Sequence, residues 1–276
     1  MVESQSSKFQ MQIEFMIKVY LMGGKKMSIK HGRVAIVTGA GSGIGKGIAK
    51  GLAEEGAVVI VADKNLESAK HVVDEIITDG GEATAVEVDV RKKEQCENMV
   101  QVALDSYGTV DILVNNAGLL RDALIHKMTE EQWDTVQDVI LKGAFLCTQA
   151  VIKVMKERRY GRIINISAVG QIGYRGQANY GSAKAGIISL TRTIVAEYTW
   201  CGVTANCILP GPIKTPLAIN SLQGRWEETV SKMMPCGRVG DPKDIAYMVK
   251  VFAAEEADYI TAQMIAVDGG FDLIRY

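Results

Sequence analysis

The stretch Thr38-Gly-Ala-Gly-Ser-Gly-Ile-Gly45 decides the fold, because it lies between an apolar run and a stretch that suits a helix. The run before it is Val34-Ala-Ile-Val37, and the helical stretch extends to about Glu55. Glycines in such a turn carry no Cβ, so backbone and phosphate can approach closely, and the following helix N-terminus offers free N–H groups. A glycine turn between a strand and a helix predicts a binding site for the pyrophosphate of a dinucleotide.

Apolar runs continue along the rest of the chain. Val58-Val-Ile-Val61 completes a β-α-β unit, and most later strand candidates are separated by segments of helical length. These later candidates are Ala83 to Val88, Val110 to Val114, Arg162 to Ile166, Val203 to Leu209 and Met264 to Val267. Strands that are apolar on both faces and alternate with helices are typical of a covered parallel sheet. The sequence therefore predicts an α/β protein with one doubly wound domain over residues 31–276.

Composition and charge narrow the class of protein. Of 276 residues, 47% are hydrophobic and 23% are charged, which is ordinary for a globular chain. Lys and Arg number 31 against 32 Asp and Glu, so a net charge of −1 leaves no large positive field for nucleic acid. Five cysteines without a C-x-x-C spacing, and three histidines outside the motifs, predict no metal site. We interpret the cysteines as reduced thiols and expect a cytoplasmic protein.

Residues 1–30 differ from the rest and are interpreted as an N-terminal extension. The apolar stretch 9–22 is interrupted by Glu14 and Lys18, so it is shorter than the ~20 apolar residues of a membrane span. It also lacks the uninterrupted apolar core of a secretory signal. Its spacing fits a short amphipathic helix. Two interpretations stay open: a leader ahead of Met27, or a helix that binds a membrane surface or a partner.

Asp63 ends the second strand candidate, about 20 residues beyond the glycine turn. An acidic side chain there can accept hydrogen bonds from the adenosine ribose hydroxyls and would repel a 2′-phosphate. The turn carries Ser42 rather than a basic residue, although Lys64 could compensate in part. We therefore predict NAD(H) rather than NADP(H) as the cofactor. The simpler alternative is a solvent-facing Asp that only ends a strand.

Tyr180 and Lys184 lie four residues apart in the stretch 177–193, which suits a helix, so their side chains share one helix face. A tyrosine has an ordinary pKa of about 10, and nearby positive charge lowers it toward a useful acid–base range. Lys184 can supply that charge. Ser167, at the end of an apolar strand, would donate a hydrogen bond to the substrate oxygen. Without the glycine turn, the same pair could be an ordinary surface pair.

Further segments follow the later strands: Asp89-Val90, Asn115-Asn-Ala-Gly118, and Pro210-Gly211 with Thr215. With the glycine turn, Tyr180 and Lys184, they make the chain resemble the short-chain dehydrogenase/reductase family from about Gly32 to Phe271. The resemblance implies a Rossmann fold with strand order 3-2-1-4-5-6-7 in a seven-stranded sheet. Site residues from the pattern and the resemblance are catalytic Ser167, Tyr180 and Lys184, and cofactor-binding Gly39, Ser42, Gly43, Ile44, Gly45, Asp63, Asp89, Val90, Asn116, Ala117, Gly118, Tyr180, Lys184, Pro210, Gly211, Ile213 and Thr215.

The same resemblance implies roles and assembly. It implies that Tyr180 is the general acid/base, that Lys184 also binds the nicotinamide ribose, and that Ile213 and Thr215 approach the carboxamide. It further implies a homotetramer or homodimer built partly on the helices that contain Tyr180 and Phe145.

Two departures from the family pattern affect the chemistry. Ile140 stands where most members carry an asparagine that holds a water for proton relay, so we expect impaired or rerouted proton transfer. The segment Ser167-Ala-Val-Gly170 is one residue shorter than the usual Ser-Ser-x-x-Gly. Ser167 is retained as the catalytic serine because it lies thirteen residues before Tyr180, the usual spacing.

The loops after the strands predict the substrate class. Residues 212–235 contain several apolar side chains that could close over a hydrophobic substrate or simply pack on the body. The segments 115–122 and 176–180 look most like members that reduce 3-oxoacyl thioesters. We predict a reversible, NAD(H)-dependent oxidation of a secondary alcohol to a ketone, with a small-molecule substrate of that kind. The alternatives are a polyol, sugar or steroid dehydrogenase and, in another class, a non-catalytic NAD(H)-binding sensor.

Overall fold

A computed structural model describes residues 29–219 and 226–272 of the chain. At its centre is one parallel sheet of seven strands. The strands are β1 Val34–Thr38, β2 Val58–Asp63, β3 Glu82–Glu87, β4 Ile112–Asn115, β5 Gly161–Ile166, β6 Val203–Pro210 and β7 Met264–Val267. Their order across the sheet is β3-β2-β1-β4-β5-β6-β7. The predicted fold class and strand order are confirmed, and each predicted strand is found within two residues of its expected ends.

Helices follow most of the strands and cover both faces of the sheet. They are α1 Gly43–Glu54, α2 Leu66–Thr78, α3 Lys93–Tyr107, α4 Glu130–Gln137, α5 Gly143–Arg158, α6 Ala178–Tyr198, α7 Pro216–Ile219, α8 Trp226–Ser231 and α9 Pro242–Ala253. A π-helical turn, Asp138–Lys142, joins α4 to α5. Short 3₁₀ turns occupy Val169–Ile172, Thr199–Cys201 and Glu255–Ala257.

The core consists of two apolar layers, one on each face of the sheet. Along β1, whose five residues are all buried, Ala35 and Val37 pack toward α1, α2 and α9. The alternate residues Val34 and Ile36 pack toward α3, α5 and α6. This alternation follows from the two-residue period of a strand, and it explains why the central strands are apolar throughout.

The register of the strands positions the functional site. Thr38 at the end of β1 pairs with Ala62, Asn115 at the end of β4 pairs with Asn165, and Pro210 at the end of β6 pairs with Val267. Because the strands are parallel, the loops that follow them emerge at the same edge of the sheet. Ligands of such sheets bind outside the carboxyl ends of the strands.

Residues 1–28 lie outside the described part of the chain, so the predicted extension and its amphipathic helix stay predictions. No helix within residues 29–219 and 226–272 is long and apolar enough to cross a membrane. Within the same ranges, no group of three or more His, Cys, Asp and Glu side chains is placed to hold a metal ion. Four of the five cysteines are buried, Cys236 is exposed, and all five thiols are free.

Candidate active site

A cavity of ≈ 920 Å³ opens at the carboxyl edge of the sheet. Every site residue expected from the sequence lines it, although these residues come from the ends of six different strands and from α6. The volume is in the range of sites for small molecules and cofactors. Local sequence patterns scattered over much of the chain are therefore brought together on one continuous wall.

The glycine turn is packed too tightly for side chains. A Cβ on Gly45 would collide with the carbonyl oxygen of Gly39, and a Cβ on Gly39 would lie 2.9 Å from Ala117 Cα. Gly39 and Gly43 also have φ angles of +63° and +55°, the left-handed region that favours glycine. The turn therefore brings its backbone to the cavity surface with no side chain in the way.

The start of α1 suits an anion. Ser42 at the N-cap makes no side-chain capping bond, and no acidic residue occupies the first turn of the helix. Its first N–H groups therefore stay available at the positive end of the helix dipole. Asn116 supports the turn from β4, donating from Nδ2 to the carbonyls of Thr38 at 2.9 Å and Gly39 at 3.1 Å. These residues fit the pyrophosphate of a dinucleotide.

Asp63 lies beside the glycine turn, as its position at the end of β2 requires. Its Oδ2 accepts a hydrogen bond from Gly41 N at 2.9 Å, and its Oδ1 accepts one from Asn65 N at 2.9 Å. Each carboxylate oxygen has a second lone pair, so the side chain can still accept from ribose hydroxyls. The fit to an adenosine ribose is therefore good.

Asp89 follows β3 and is held by Arg91. The guanidinium donates to both carboxylate oxygens at 2.6–3.1 Å, and these bonds hold the pKa of Asp89 at about 2. Lys64 lies 3.8 Å from the same carboxylate, with a side chain that is 71% exposed. The negative charges of Asp63 and Asp89 at this end of the cavity are therefore matched in number by the positive charges of Lys64 and Arg91.

Tyr180 and Lys184 are presented by the first two turns of α6. The Nζ of Lys184 lies 5.6 Å from the centre of the Tyr180 ring and donates to the carbonyl of Ile166 at 2.7 Å. Burial raises the pKa of Tyr180 to about 12, and the charge of Asp122 adds to the rise. Burial lowers the pKa of Lys184 to about 8, with a small opposing contribution from Cys207. Lys184 is 4% exposed, so its ammonium is a buried charge directed at the site.

Ser167 lines the cavity, but its hydroxyl points at the helix. Its Oγ donates to the carbonyl of Lys184 at 2.7 Å, and within the described residues no hydrogen bond joins it to Tyr180. The backbone of Ser167 still follows the strand pattern, because its N–H donates to Ile208 O at 2.8 Å. In this arrangement Ser167 ties the end of β5 to α6. The residue after it, Ala168, also lines the cavity.

Ile140 is buried in the π-helical turn and packs in the apolar cluster under α6. A Cβ on Gly118 would touch both Ile140 Cγ1 at 3.7 Å and Lys184 Nζ at 3.8 Å. Ile140, which stands where the family has its asparagine, and Lys184 therefore both lie close to Gly118. The π-helical turn distorts the helix at this position.

Several residues of the site were not expected from the sequence. Asn179 is fully buried, donates from Nδ2 to the carbonyls of Arg121 at 2.9 Å and Gln132 at 3.0 Å, and accepts from Tyr180 N. It therefore fixes the start of α6. Arg121 and Arg175 also line the cavity. Arg121 could have been predicted as a site residue from its position in the loop after β4. Nothing in the local sequence indicates that Arg175 belongs to the site.

Known proteins resemble this chain along almost its whole length. The sequence profile of the family described as Enoyl-(Acyl carrier protein) reductase matches residues 39–272. A (2S)-[(R)-hydroxy(phenyl)methyl]succinyl-CoA dehydrogenase subunit of Thauera aromatica is 39% identical over 241 residues, covering 87% of this chain and 97% of that protein. A 3-oxoacyl-[acyl-carrier-protein] reductase of Thermotoga maritima is 40% identical over 240 residues, with 87% and 97% covered. The solved structure of a candidate gluconate dehydrogenase from Agrobacterium tumefaciens superimposes with a TM-score of 0.84 at 32% identity, covering 90% and 98% of the two chains.

Proposed function

Because the chain belongs to the short-chain dehydrogenase/reductase family, whose members use a nicotinamide cofactor, we propose that it uses NAD(H) to interconvert a secondary alcohol and a ketone. The leading substrates are 3-hydroxyacyl and 3-oxoacyl thioesters or similar apolar molecules, as the names of two relatives suggest. The observation that carries the proposal is the single cavity that joins the glycine turn and Asp63 to Tyr180 and Lys184.

The preference for NAD(H) rests on the charge and contacts of Asp63. A carboxylate held by Gly41 N and Asn65 N is fixed beside the place where the ribose hydroxyls would lie. It accepts hydrogen bonds from two hydroxyls and repels a 2′-phosphate. Lys64 is the opposing feature, because its exposed ammonium could attract that phosphate.

When bound, the nicotinamide supplies the hydride for ketone reduction, and its oxidised, cationic form accepts the hydride from an alcohol. At neutral pH the raised pKa keeps Tyr180 protonated, so its Oη can give a proton to the substrate oxygen as the carbonyl is reduced. In the reverse direction, the phenolate of Tyr180 removes the hydroxyl proton. A nearby positive charge favours this anionic form, and the ammonium of Lys184 lies 5.6 Å from the centre of the Tyr180 ring.

We propose that Ser167 acts in the same reaction. Its Oγ donates to the Lys184 carbonyl in the structure, and its place on the cavity wall supports a role as donor to the substrate oxygen after rotation of χ1. The alternative is that it only holds β5 against α6. A Ser167→Ala variant separates the two: a catalytic donor lowers kcat, whereas a purely structural tie lowers stability with kcat retained.

The experiment that tests the function follows absorbance of the reduced nicotinamide, offering NADH or NADPH with acetoacetyl-CoA and a panel of ketones. Oxidation of NADH by the thioester supports both the cofactor and the substrate class. The Tyr180→Phe variant should lose about 10²–10⁴-fold in kcat while it still binds NADH. Full turnover by Tyr180→Phe refutes the assigned role. NADH binding without turnover of any substrate favours the sensor.

A sugar or polyol dehydrogenase is the second candidate. The similarity to the candidate gluconate dehydrogenase from Agrobacterium tumefaciens supports it. Turnover of a polyhydroxy acid or polyol with NAD⁺, together with failure on acetoacetyl-CoA, would favour this candidate over the thioester.

We also propose that the protein is a cytoplasmic homotetramer or homodimer. A large apolar side chain on one of the helices predicted to form the interface supports assembly, since Phe145 on α5 is 46% exposed. Trp133, on the preceding helix α4, is 39% exposed as well. Light scattering after size-exclusion chromatography measures the mass of the assembly directly. A monomer at micromolar concentration contradicts the prediction.

A further inference from the structure

Charge is distributed unevenly along the wall of the cavity. At the nucleotide end, the acids Asp63 and Asp89 face the bases Lys64 and Arg91. At the end that holds Tyr180, the charged side chains on the wall are all basic: Arg121, Arg175 and Lys184. Lys184 acts on Tyr180 in the proposed reaction. The positive charges of Arg121 and Arg175 have no role in that reaction.

Backbone contacts hold the loops that carry the two arginines beside each other and beside the start of α6. Ala123 N donates to Gly176 O at 2.9 Å, and a parallel bridge joins Ala123 to Gln177. These contacts join the loop that carries Arg121 to the loop that carries Arg175. Asn179, the neighbour of Tyr180, donates to the carbonyl of Arg121 at 2.9 Å, which couples the first loop to α6.

Both guanidiniums are available to a ligand. Arg121 donates to the carbonyl of Leu120 at 2.9 Å, and within residues 29–219 and 226–272 neither arginine forms an ion pair with a carboxylate. The acid in this region is Asp122, which accepts a hydrogen bond from Gln177 Nε2 at 2.9 Å and does not line the cavity. With Lys127, the loops 116–129 and 167–177 carry three bases and one acid, which leaves two net positive charges. Paired guanidiniums match the geometry of carboxylate and phosphate oxygens.

We propose that Arg121 and Arg175 bind an anionic group of the substrate, a carboxylate or a phosphate, while its reacting carbon lies at Tyr180. The inference rests on the proposed function and narrows its substrate class to anions. The cavity wall also carries apolar side chains, among them Leu119, Val139 and Val169, so we expect a substrate that joins an apolar body to an anionic end. These arginines act on substrate binding rather than on the chemical step.

Matched pairs of substrates test the proposal and separate the two sources of charge. Acetoacetate and ethyl acetoacetate differ in a carboxylate, whereas acetoacetyl-CoA and acetoacetyl-pantetheine differ in the phosphates and nucleotide of CoA. The quantity compared is the ratio of kcat/KM for the anionic and the neutral member of each pair. We expect a ratio of about 100 for the wild type in one of the two pairs, about tenfold from each arginine, because hydrogen bonds to charged groups are the strong ones.

The variants are Arg121→Gln, Arg175→Gln and the double variant, with Arg158→Gln as control. Arg158 is an exposed arginine at the end of α5 and does not line the cavity. Arg158→Gln therefore removes one positive charge, as each single variant does, but away from the cavity. In each single variant we expect the ratio to fall about tenfold through a higher KM for the anion. In the double variant it should approach 1. The control should keep the wild-type ratio.

A binding measurement keeps the proposal testable if none of these compounds is turned over. Calorimetry measures the Kd of acetoacetate and of coenzyme A for the NADH-loaded Tyr180→Phe protein, with and without the arginine substitutions. Loss of anion binding in the arginine variants supports the proposal even if the reaction assigned to Tyr180 is wrong. Equal ratios in wild type and double variant, or equal Kd values where there is no turnover, overturn it.

Discussion

Replacing Lys184 with methionine should abolish turnover and, at the same time, stabilise the fold near neutral pH. Lys184 is 4% exposed, and within the described residues its ammonium donates to Ile166 O and forms no ion pair with a carboxylate. Burial lowers its pKa from 10.5 to about 8. Because one pKa unit corresponds to about 1.4 kcal/mol, keeping the charged form buried costs about 3 kcal/mol.

Methionine keeps most of the apolar stem but removes the donor to Ile166 O. Leaving that carbonyl without its partner costs about 1–2 kcal/mol, so the expected net gain is about 1–2 kcal/mol at pH 7. For a chain of this size, that gain raises Tm by about 2–4 °C. The gain also depends on pH. Lys184 loses its proton near pH 8 when folded and near pH 10.5 when unfolded, so the wild type gains stability as pH rises between these values.

The assay is thermal unfolding followed by circular dichroism, at about pH 7 and about pH 10 and at one protein concentration. Lys153→Met, which removes an exposed lysine of α5, is the matched control and should leave Tm nearly unchanged. The reasoning is refuted if Lys184→Met melts at or below the wild-type Tm at pH 7. A difference in Tm that stays constant up to pH 10 also refutes it.

Three further predictions concern the cofactor and the proton path. Asp63→Asn should raise the ratio of kcat/KM for NADPH over NADH by about 30-fold, because a unit charge near a phosphate of charge about −2 contributes roughly 2 kcal/mol. Asp74→Asn, at an exposed site on α2, is the control. A wild type that already prefers NADPH contradicts the cofactor assignment. Gly45→Ala should weaken NADH binding at least about tenfold, measured by fluorescence, because its Cβ would meet Gly39 O. Ile140→Asn should raise kcat and shift the pH profile of kcat. Its Tm should fall by several degrees, because a polar group enters an apolar cluster. An unchanged pH profile means that protons reach Tyr180 by another path.

Much of the fold and part of the site could be predicted from the sequence. The strands were visible because residues such as Val34–Val37 are apolar on both faces, which is a local property of a covered parallel sheet. The glycine turn and Asp63 were recognisable because each is set by its distance from a strand end. Tyr180 and Lys184 were recognisable because one helical turn places them on one face.

The direction of the Ser167 hydroxyl was decided by tertiary structure. Its distance of thirteen residues from Tyr180 suggested a side chain at the substrate, yet its backbone extends the pairing of β5 with β6. In that register its Oγ reaches the Lys184 carbonyl on α6. Spacing along the chain does not determine which face of a strand end a side chain takes, because that depends on pairing with a neighbouring strand.

The sequence by itself therefore determined the α/β class, the glycine turn and the tyrosine–lysine pair, since each depends on neighbours within a few residues. Only the tertiary structure placed Arg121 and Arg175 on one cavity wall and brought Ile140 and Lys184 close to Gly118. These residues are separated by tens of positions in the chain. Their approach depends on how the loops after β4 and β5 pack on α6, and no local pattern encodes that packing.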